Sequence, residues 1–537
     1  MDHAPARAKA VSPARLAVLL AIVFAILAGS AMLHTSTTFD EIVFMCVGAR
    51  GIDTGDFSLV IDHPRLPQYI YGLPVYLMHV KYPPEGVLTH DWMPRYYYAR
   101  TLLWGLGNPA EHIVMATRAV ALAFGAATVA ATFALARRHM SAWSALFAAA
   151  LVAFLPDMLA HSGVAYNDIP LAFGFLVTLY AFDAAVRRPS PRIVAAAGVA
   201  CALTVCVKYS GLILGPILVA LVAAEALSGR WRDRAWRHSI FVAIPVFLGA
   251  MYVTIALVYL GDWTLRGFTG GLMASLDATV GRTANLLGER YRGGRWYFFP
   301  VAFLLKTPAA LHVLVLVALV AAWGSLRDRP WREWLTHGAR APVVGIAFFL
   351  AGLVTSSMNI GFRHALPMLP LICIMVAQGV GSIWGRARPA LRTALGIVFA
   401  AYVASTSMHY PYFLAYLSEY TAGRPLYRTL VDSSTDWGEG LVALRAFMQE
   451  RGVDSVALGY FGSTPPEAYG IRYYPLPSYY QLPAPEPNTP EPRYLVVSAT
   501  LLAGNYVADD PYAPLRALEP VAVIADTLYV FDMQARR

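Results

Sequence analysis

The sequence predicts a mainly α-helical, polytopic membrane protein: about eleven transmembrane helices followed by a small extracytoplasmic α/β domain. Three observations predict it. Of the 537 residues, 57% are hydrophobic and only 14% charged, against about 25% charged in a typical soluble domain. Apolar runs close to the ~20 residues needed to cross about 30 Å of hydrocarbon recur from residue 16 to residue 408. Finally, clusters of Arg follow every second run, as expected of loops held in the cytoplasm.

Taken in order, the runs lie at 16–33, 113–136, 142–160, 164–186, 193–207, 211–228, 239–260, 299–325, 341–357, 364–384 and 390–408. The first follows Arg7, Lys9 and Arg15, a charge pattern shared with signal peptides. It is long enough to span and further spans follow, so it reads as a retained helix. The other basic clusters are Arg137-Arg138, Arg187-Arg188 with Arg192, Arg230 to Arg237, Arg327 to Arg340 and Arg386 to Arg392. Each follows an even-numbered run, which sets the N-terminus in the cytoplasm and, after an odd number of crossings, the C-terminus outside. The net charge of +9 is therefore accounted for by topology, and nucleic acid is not a predicted partner. The four cysteines are scattered without metal or disulfide spacing and read as small core hydrophobes.

This topology places four further regions outside: the first loop, 34–112, the turn at Tyr166-Asn167-Asp168, the loop 261–298, and the turn from Asn359 to His364. Most of the unusual polar residues thus gather on one face, whereas a transporter concentrates them near the midplane. Beyond residue 408 the composition turns rich in Tyr and Pro. A helix over Gly438 to Arg451, strands at Ser455 to Tyr460, Arg493 to Ser498 and Val521 to Phe531, and an irregular loop from Pro483 to Pro492 are predicted. The domain reading is accordingly a transmembrane module over 1–408 and an extracytoplasmic domain over 409–537.

Candidate chemistry begins with Asp40 and Glu41, just beyond the first run. Adjacent carboxylates at a membrane face can serve as a general base or hold a cation. Asp168 is a third acid on the same face, although an Asp at a helix start is often only a cap. The cations there are Lys208, Arg295, Lys306, Arg363 and His364. Lone Lys and Arg near helix ends often only snorkel. Lys306 lies deeper among apolar neighbours, where a charge is costly unless paired or used. Aromatic clusters such as Tyr96-Tyr97-Tyr98 and Trp296-Tyr297 read mainly as interfacial belt.

At these motifs the chain resembles the GT-C superfamily of integral-membrane glycosyltransferases, in the branch of the protein O-mannosyltransferases and the aminoarabinose transferase of lipid A (glycosyltransferase family 39-like). The resemblance runs through Phe39-Asp40-Glu41, His63-Pro64-Arg65-Leu66, Asp168, Lys208-Tyr209-Ser210-Gly211, Trp296 to Pro300, Leu305-Lys306-Thr307-Pro308 and Asn359 to Pro367. It continues in the tail through Tyr412 to Tyr416, Asp432 to Gly438 and Tyr460-Phe461-Gly462, as in a bacterial subgroup with a periplasmic C-terminal domain. Where the family often has His-Pro-Pro-Leu, this chain has Arg65.

The resemblance implies a polyprenyl-phosphate sugar as donor, a glycan, lipid or protein hydroxyl as acceptor, and transfer with inversion at the outer face of a bacterial inner membrane. Asp40 is then the general base, with Glu41 and Asp168 as supporting acids. Lys208, Arg295, Lys306, Arg363 and His364 are candidates for the leaving phosphate, and His63, Arg65 and Tyr297 for the acceptor or its loop. Converging carboxylates can attract a divalent metal, but these cations suffice for one phosphate, so no obligatory cofactor is expected. The alternative from another class is a transporter or flippase of lipid-linked sugars.

Overall fold

The computed structural model describes residues 12–89, 93–279, 281–327, 333, 340–478 and 492–534. The N-terminal cations Arg7 and Lys9, most of the basic loop before Arg340, and the predicted irregular loop up to residue 491 lie outside the described residues.

Among the described residues, seven helices are long and apolar enough to cross a membrane: Pro13–Met32, Ala110–Ala136, Asp168–Arg187, Tyr209–Leu227, Arg234–Val258, Phe362–Trp384 and Pro389–Ser407. Two bent pairs raise the number to nine: Ala142–Ala153 with Pro156–Ser162, and Phe298–Lys306 with Ala309–Ser325. The shorter apolar helices Pro191–Val207 and Arg340–Val354 stand where two more spans are expected. Among the described residues, length and composition thus give seven to nine spans, with these two shorter helices beside them.

The bends have a local cause. Proline disfavours helical backbone at the residue before it, and Leu155 (φ −77°, ψ 124°) and Thr307 (φ −123°, ψ 145°) are extended ahead of Pro156 and Pro308. The chain turns by 65° at the first break and by 115° at the second. Ser12, Ser141 and Ser190 cap their helices through side-chain oxygens, satisfying orphan backbone donors. Leu19, Ile26, Phe241, Leu248, Val320 and Trp323 are exposed, an apolar exterior suited to lipid.

The first loop is not irregular. It folds into helices Glu41–Thr54, Leu66–Leu77 and Pro94–Arg100. The first two approach so closely that a Cβ on Gly72 would lie 2.3 Å from the Gly48 carbonyl carbon. The loop 261–298 carries helix Arg266–Asp277 and a hairpin of β1 (Thr283–Leu286) and β2 (Glu289–Arg292).

The tail builds a five-stranded mixed sheet, ordered β4-β3-β5-β7-β6, from β3 (Val456–Gly459), β4 (Tyr473–Pro475), β5 (Tyr494–Ser498), β6 (Ala522–Ile524) and β7 (Leu528–Asp532). β3 runs parallel to β4 and β5, and β7 runs antiparallel to β5 and β6. The single strand expected over Val521 to Phe531 is a hairpin, because Ala525 (φ 51°) and Asp526 (φ 59°) turn the chain between β6 and β7. Helix Leu441–Arg451 covers the sheet with Leu441, Leu444 and Met448 against Val456, Leu458, Val496 and Val530.

The tail is not a separate lobe. Phe39, Phe44 and Tyr71 of the first loop share one buried cluster with Tyr166 and with Trp437, Phe461 and Phe531 of the tail. Backbone bonds fasten the two: Ser36 N–H donates to Glu439 O (2.9 Å) and Phe39 N–H to Trp437 O (2.8 Å). This seam ends one residue before Asp40.

Candidate active site

A cavity of about 700 Å3 opens where the first loop, the helix ends and the tail meet. Its polar lining includes Asp40, Asp62, His63, Lys208, Arg363, His364 and Asp432, and its apolar lining Leu212, Ile213, Leu272, Leu276, Phe349 and Leu353. Arg95 and Arg282 also line it.

Asp40 stands at the N-cap of Glu41–Thr54 but makes no capping bond, so its carboxylate is left to face the cavity. Its Oδ1 accepts from the Tyr96 hydroxyl at 2.5 Å, and its Oδ2 lies 3.6 Å from an Arg363 nitrogen. Its side chain is 22% exposed, against 2% for Asp168. Burial, and then the charge of Asp40, hold the Tyr96 hydroxyl well above its ordinary pKa, so it remains a donor.

Asp168 opens the helix Asp168–Arg187, where the helix dipole favours a carboxylate. It joins the two central cations: Lys208 Nζ at 2.5 Å and the Arg363 guanidinium at 3.2 Å. Lys208 Nζ also lies 3.4 Å from His364 Nδ1, and His364 Nε2 is buried without a hydrogen-bond partner. The faces of the Arg363 guanidinium meet Trp437 (4.2 Å) and Tyr166 (4.9 Å), favourable cation–π contacts.

The remaining candidates part company with this cluster. Glu41 is fully buried away from the cavity lining. Its Oε1 accepts from Arg118 Nε (2.8 Å) and Ala165 N–H (3.1 Å), its Oε2 from Arg118 (3.0 Å) and Thr38 N–H (2.9 Å). Lys306 is also fully buried outside the lining, donating to Leu414 O (2.7 Å) and Tyr416 O (3.0 Å) and pairing with Asp157 at 3.4 Å. Both carbonyls belong to the tail, so Lys306 fastens the end of its helix to that segment. Arg295 lies at the surface, bound to Glu289 (2.6 Å) and to the Tyr297 hydroxyl (2.8 Å), and neither it nor Tyr297 lines the cavity. Arg65 is held over Phe57 (5.3 Å) and Tyr259 (4.7 Å). His63 does reach the lining, where burial pushes its pKa down to about 4 and keeps the ring neutral at pH 7.

Sequence reasoning assigned no role to Tyr96, Tyr166, Asp62, Arg95, Asp432 or Trp437. Tyr96 sat in a run with every mark of an interfacial belt. The tail residues had one signal, their place in the Asp432 to Gly438 motif. Asp432 adopts φ 60°, uncommon for a residue with a Cβ. It accepts from the Ser433 N–H at 2.6 Å and from the Tyr506 hydroxyl, and burial pushes it up to about 6. Among the described residues, no three His, Cys, Asp or Glu side chains converge as metal ligands. Asp40, Asp62 and Asp432 each already accept from a protein donor.

Residues 17–266, just under half of the chain, match the family model described as dolichyl-phosphate-mannose-protein mannosyltransferase. Over that stretch the chain is similar to this family, in keeping with the resemblance of its motifs. No curated protein matches the sequence. Among solved structures, ArnT from Cupriavidus metallidurans bound to undecaprenyl phosphate is 13% identical over 96% of this chain and 97% of its own, with a TM-score of 0.47. The oligosaccharyltransferase AglB from Archaeoglobus fulgidus, in complex with an inhibitory peptide and a dolichol-phosphate, is 13% identical over 73% of this chain and 55% of its own (TM-score 0.46). The S. cerevisiae protein O-mannosyltransferase Pmt1-Pmt2 complex bound to the sugar donor is 17% identical over 52% and 40% (TM-score 0.34).

Proposed function

We propose that this protein transfers a sugar from a polyprenyl-phosphate donor to an acceptor hydroxyl at the extracytoplasmic face of a bacterial inner membrane. The observation that carries the reading is the cavity's division of labour. A carboxylate with unused acceptor capacity, Asp40, lines the same cavity as Lys208, Arg363 and His364, together with apolar residues such as Leu212, Leu276 and Leu353. The apolar lining suits a polyprenyl chain, and the Lys208 and Arg363 cations suit its phosphate.

In this mechanism Asp40 takes the proton of the acceptor hydroxyl as that oxygen attacks the anomeric carbon. The Tyr96 hydroxyl holds one carboxylate oxygen and leaves the other to act. The bond to the phosphate oxygen breaks on the opposite side, inverting the anomeric centre. A phosphate ester is a weak base and leaves without a general acid, but its charge needs fixed partners in a site poor in water. Lys208 and His364 fill that role, and Asp168 holds Lys208 and Arg363 in place.

The test is mass spectrometry of lipid-linked sugars and envelope glycans in a deletion strain and its parent. Loss of one glycan with accumulation of one polyprenyl-phosphate sugar, both reversed by the intact gene, is the expected result. Unchanged glycans and lipid-linked sugars would overturn the reading.

A further inference from the structure

The tail does more than cover the cavity. Ser433 lies on the segment that follows Asp432 and is fully buried. Its Oγ accepts from Arg363 Nε at 3.1 Å and donates to Ile360 O at 3.1 Å. The next residue, Ser434, accepts from the Phe362 N–H at 3.0 Å through its own hydroxyl. Two successive serines of the tail therefore clasp the turn Ile360 to Arg363. The approach is close: a Cβ on Gly361 would lie 2.4 Å from Ser433 Oγ.

A guanidinium offers five N–H donors in a rigid plane, so fixing one edge fixes the others. With Nε on Ser433 and the faces against Trp437 and Tyr166, the terminal nitrogens point at Asp168 (3.2 Å) and Asp40 (3.6 Å). Resting on the glycosyltransferase reading above, we infer that Ser433 is a positioning residue. Its hydroxyl orients Arg363 so that one cation spans the base Asp40 and the acid Asp168, and the site is complete only when the tail is docked. Ser434 is the internal comparator, since it holds the same turn without touching Arg363.

The experiment uses the full-length chain induced in the deletion strain. It reads the initial rate at which the missing glycan returns, normalised to the amount of protein in the membrane. Ser433→Ala should lower that rate about 10-fold or more, the scale of a lost hydrogen bond to a charged group, while Ser434→Ala stays within about 3-fold of wild type. In an Arg363→Lys background, which lacks Nε in that plane, Ser433→Ala should change the rate no further, as expected for residues acting through each other. Equal rates for Ser433→Ala and wild type, or effects that multiply independently, would overturn the inference. If Ser433→Ala does not accumulate, Gly361→Ala displaces the same hydroxyl from the other side and carries the same comparison. Failure of both to accumulate while Ser434→Ala does would make the hydroxyl a folding element and also overturn it. If even the wild-type gene restores no glycan, the glycosyltransferase reading fails instead.

Discussion

Asp40→Asn separates two neighbouring carboxylates that the sequence alone presents as a pair. The amide has nearly the size of the acid and its oxygen can still accept from Tyr96, now at 2.5 Å. What it loses is basicity and the long contact to Arg363 at 3.6 Å. A contact that loose on a partly exposed side chain is worth at most about 1 kcal/mol, so membrane abundance and thermal midpoint should stay near wild type. Removing a general base costs typically 10²–10⁴-fold, or about 3–5 kcal/mol of barrier. Glycan formation per molecule in the complemented deletion strain should fall by that factor, while undecaprenyl phosphate binding by the purified protein changes by less than about 3-fold. Glu41→Gln should do the opposite. It leaves the buried Arg118 guanidinium without its carboxylate, a loss of about 3–5 kcal/mol, and the protein should fail to accumulate. Near-normal turnover in Asp40→Asn, or normal stability with abolished turnover in Glu41→Gln, would refute the assignment.

Two further outcomes follow from the same geometry. Lys306→Met should lower the thermal midpoint and membrane abundance, because it strands Asp157 and two carbonyls in the interior at a cost of about 3–5 kcal/mol. Turnover per surviving molecule should stay within about 3-fold. A stable protein with turnover reduced by about 10² would instead return Lys306 to the leaving phosphate. The second outcome concerns pH. Burial raises Asp432 to about 6 and also drives Asp436 and Glu439 upward. Acids with a raised folded pKa stabilise fully below the unfolded value of about 4 and lose that contribution as pH rises through the folded value. Thermal midpoints measured in detergent should therefore fall between about pH 6 and pH 8.5, and the fall should be shallower in Asp436→Asn. A midpoint that rises over that interval would contradict the assignment.

The helical membrane module was legible because apolar runs and Arg clusters are local signals, each read within ~20 residues. Helices inside the first loop were not. Glu41–Thr54 is short and almost evenly buried, and Leu66–Leu77 is only 12 residues long, so neither stands out between longer apolar runs. The tail is legible as helix plus strands. Its hairpin turn at Ala525-Asp526 was missed because neither residue is the Gly or Asn expected at positive φ. In the cavity, Asp40, Asp168, Lys208, Arg363 and His364 were each visible as polar residues on one face. Tyr96 and Trp437 were not, since an aromatic ring beside a membrane reads as belt whichever way it points.

What sequence could not decide is which charges have capacity left over, and the structure decides that by counting. An ammonium has three donors. Those of Lys306 meet Leu414 O, Tyr416 O and Asp157, leaving none for a phosphate. Lys208 meets Asp168 and His364, leaving one, and it borders the cavity. A carboxylate has about four acceptor sites. Those of Glu41 take four donors, whereas Asp40 takes one close donor, from Tyr96. Both rules that favoured function here, that buried charges are costly and that acids do not arise idly at a membrane face, apply equally to all four residues. They predict that each will be paired. Partners supplied by residues about 80 to 120 positions away in sequence then separate a structural staple from a working group. That separation is why adjacent acids, or two lysines at the ends of apolar helices, can have opposite roles in one fold.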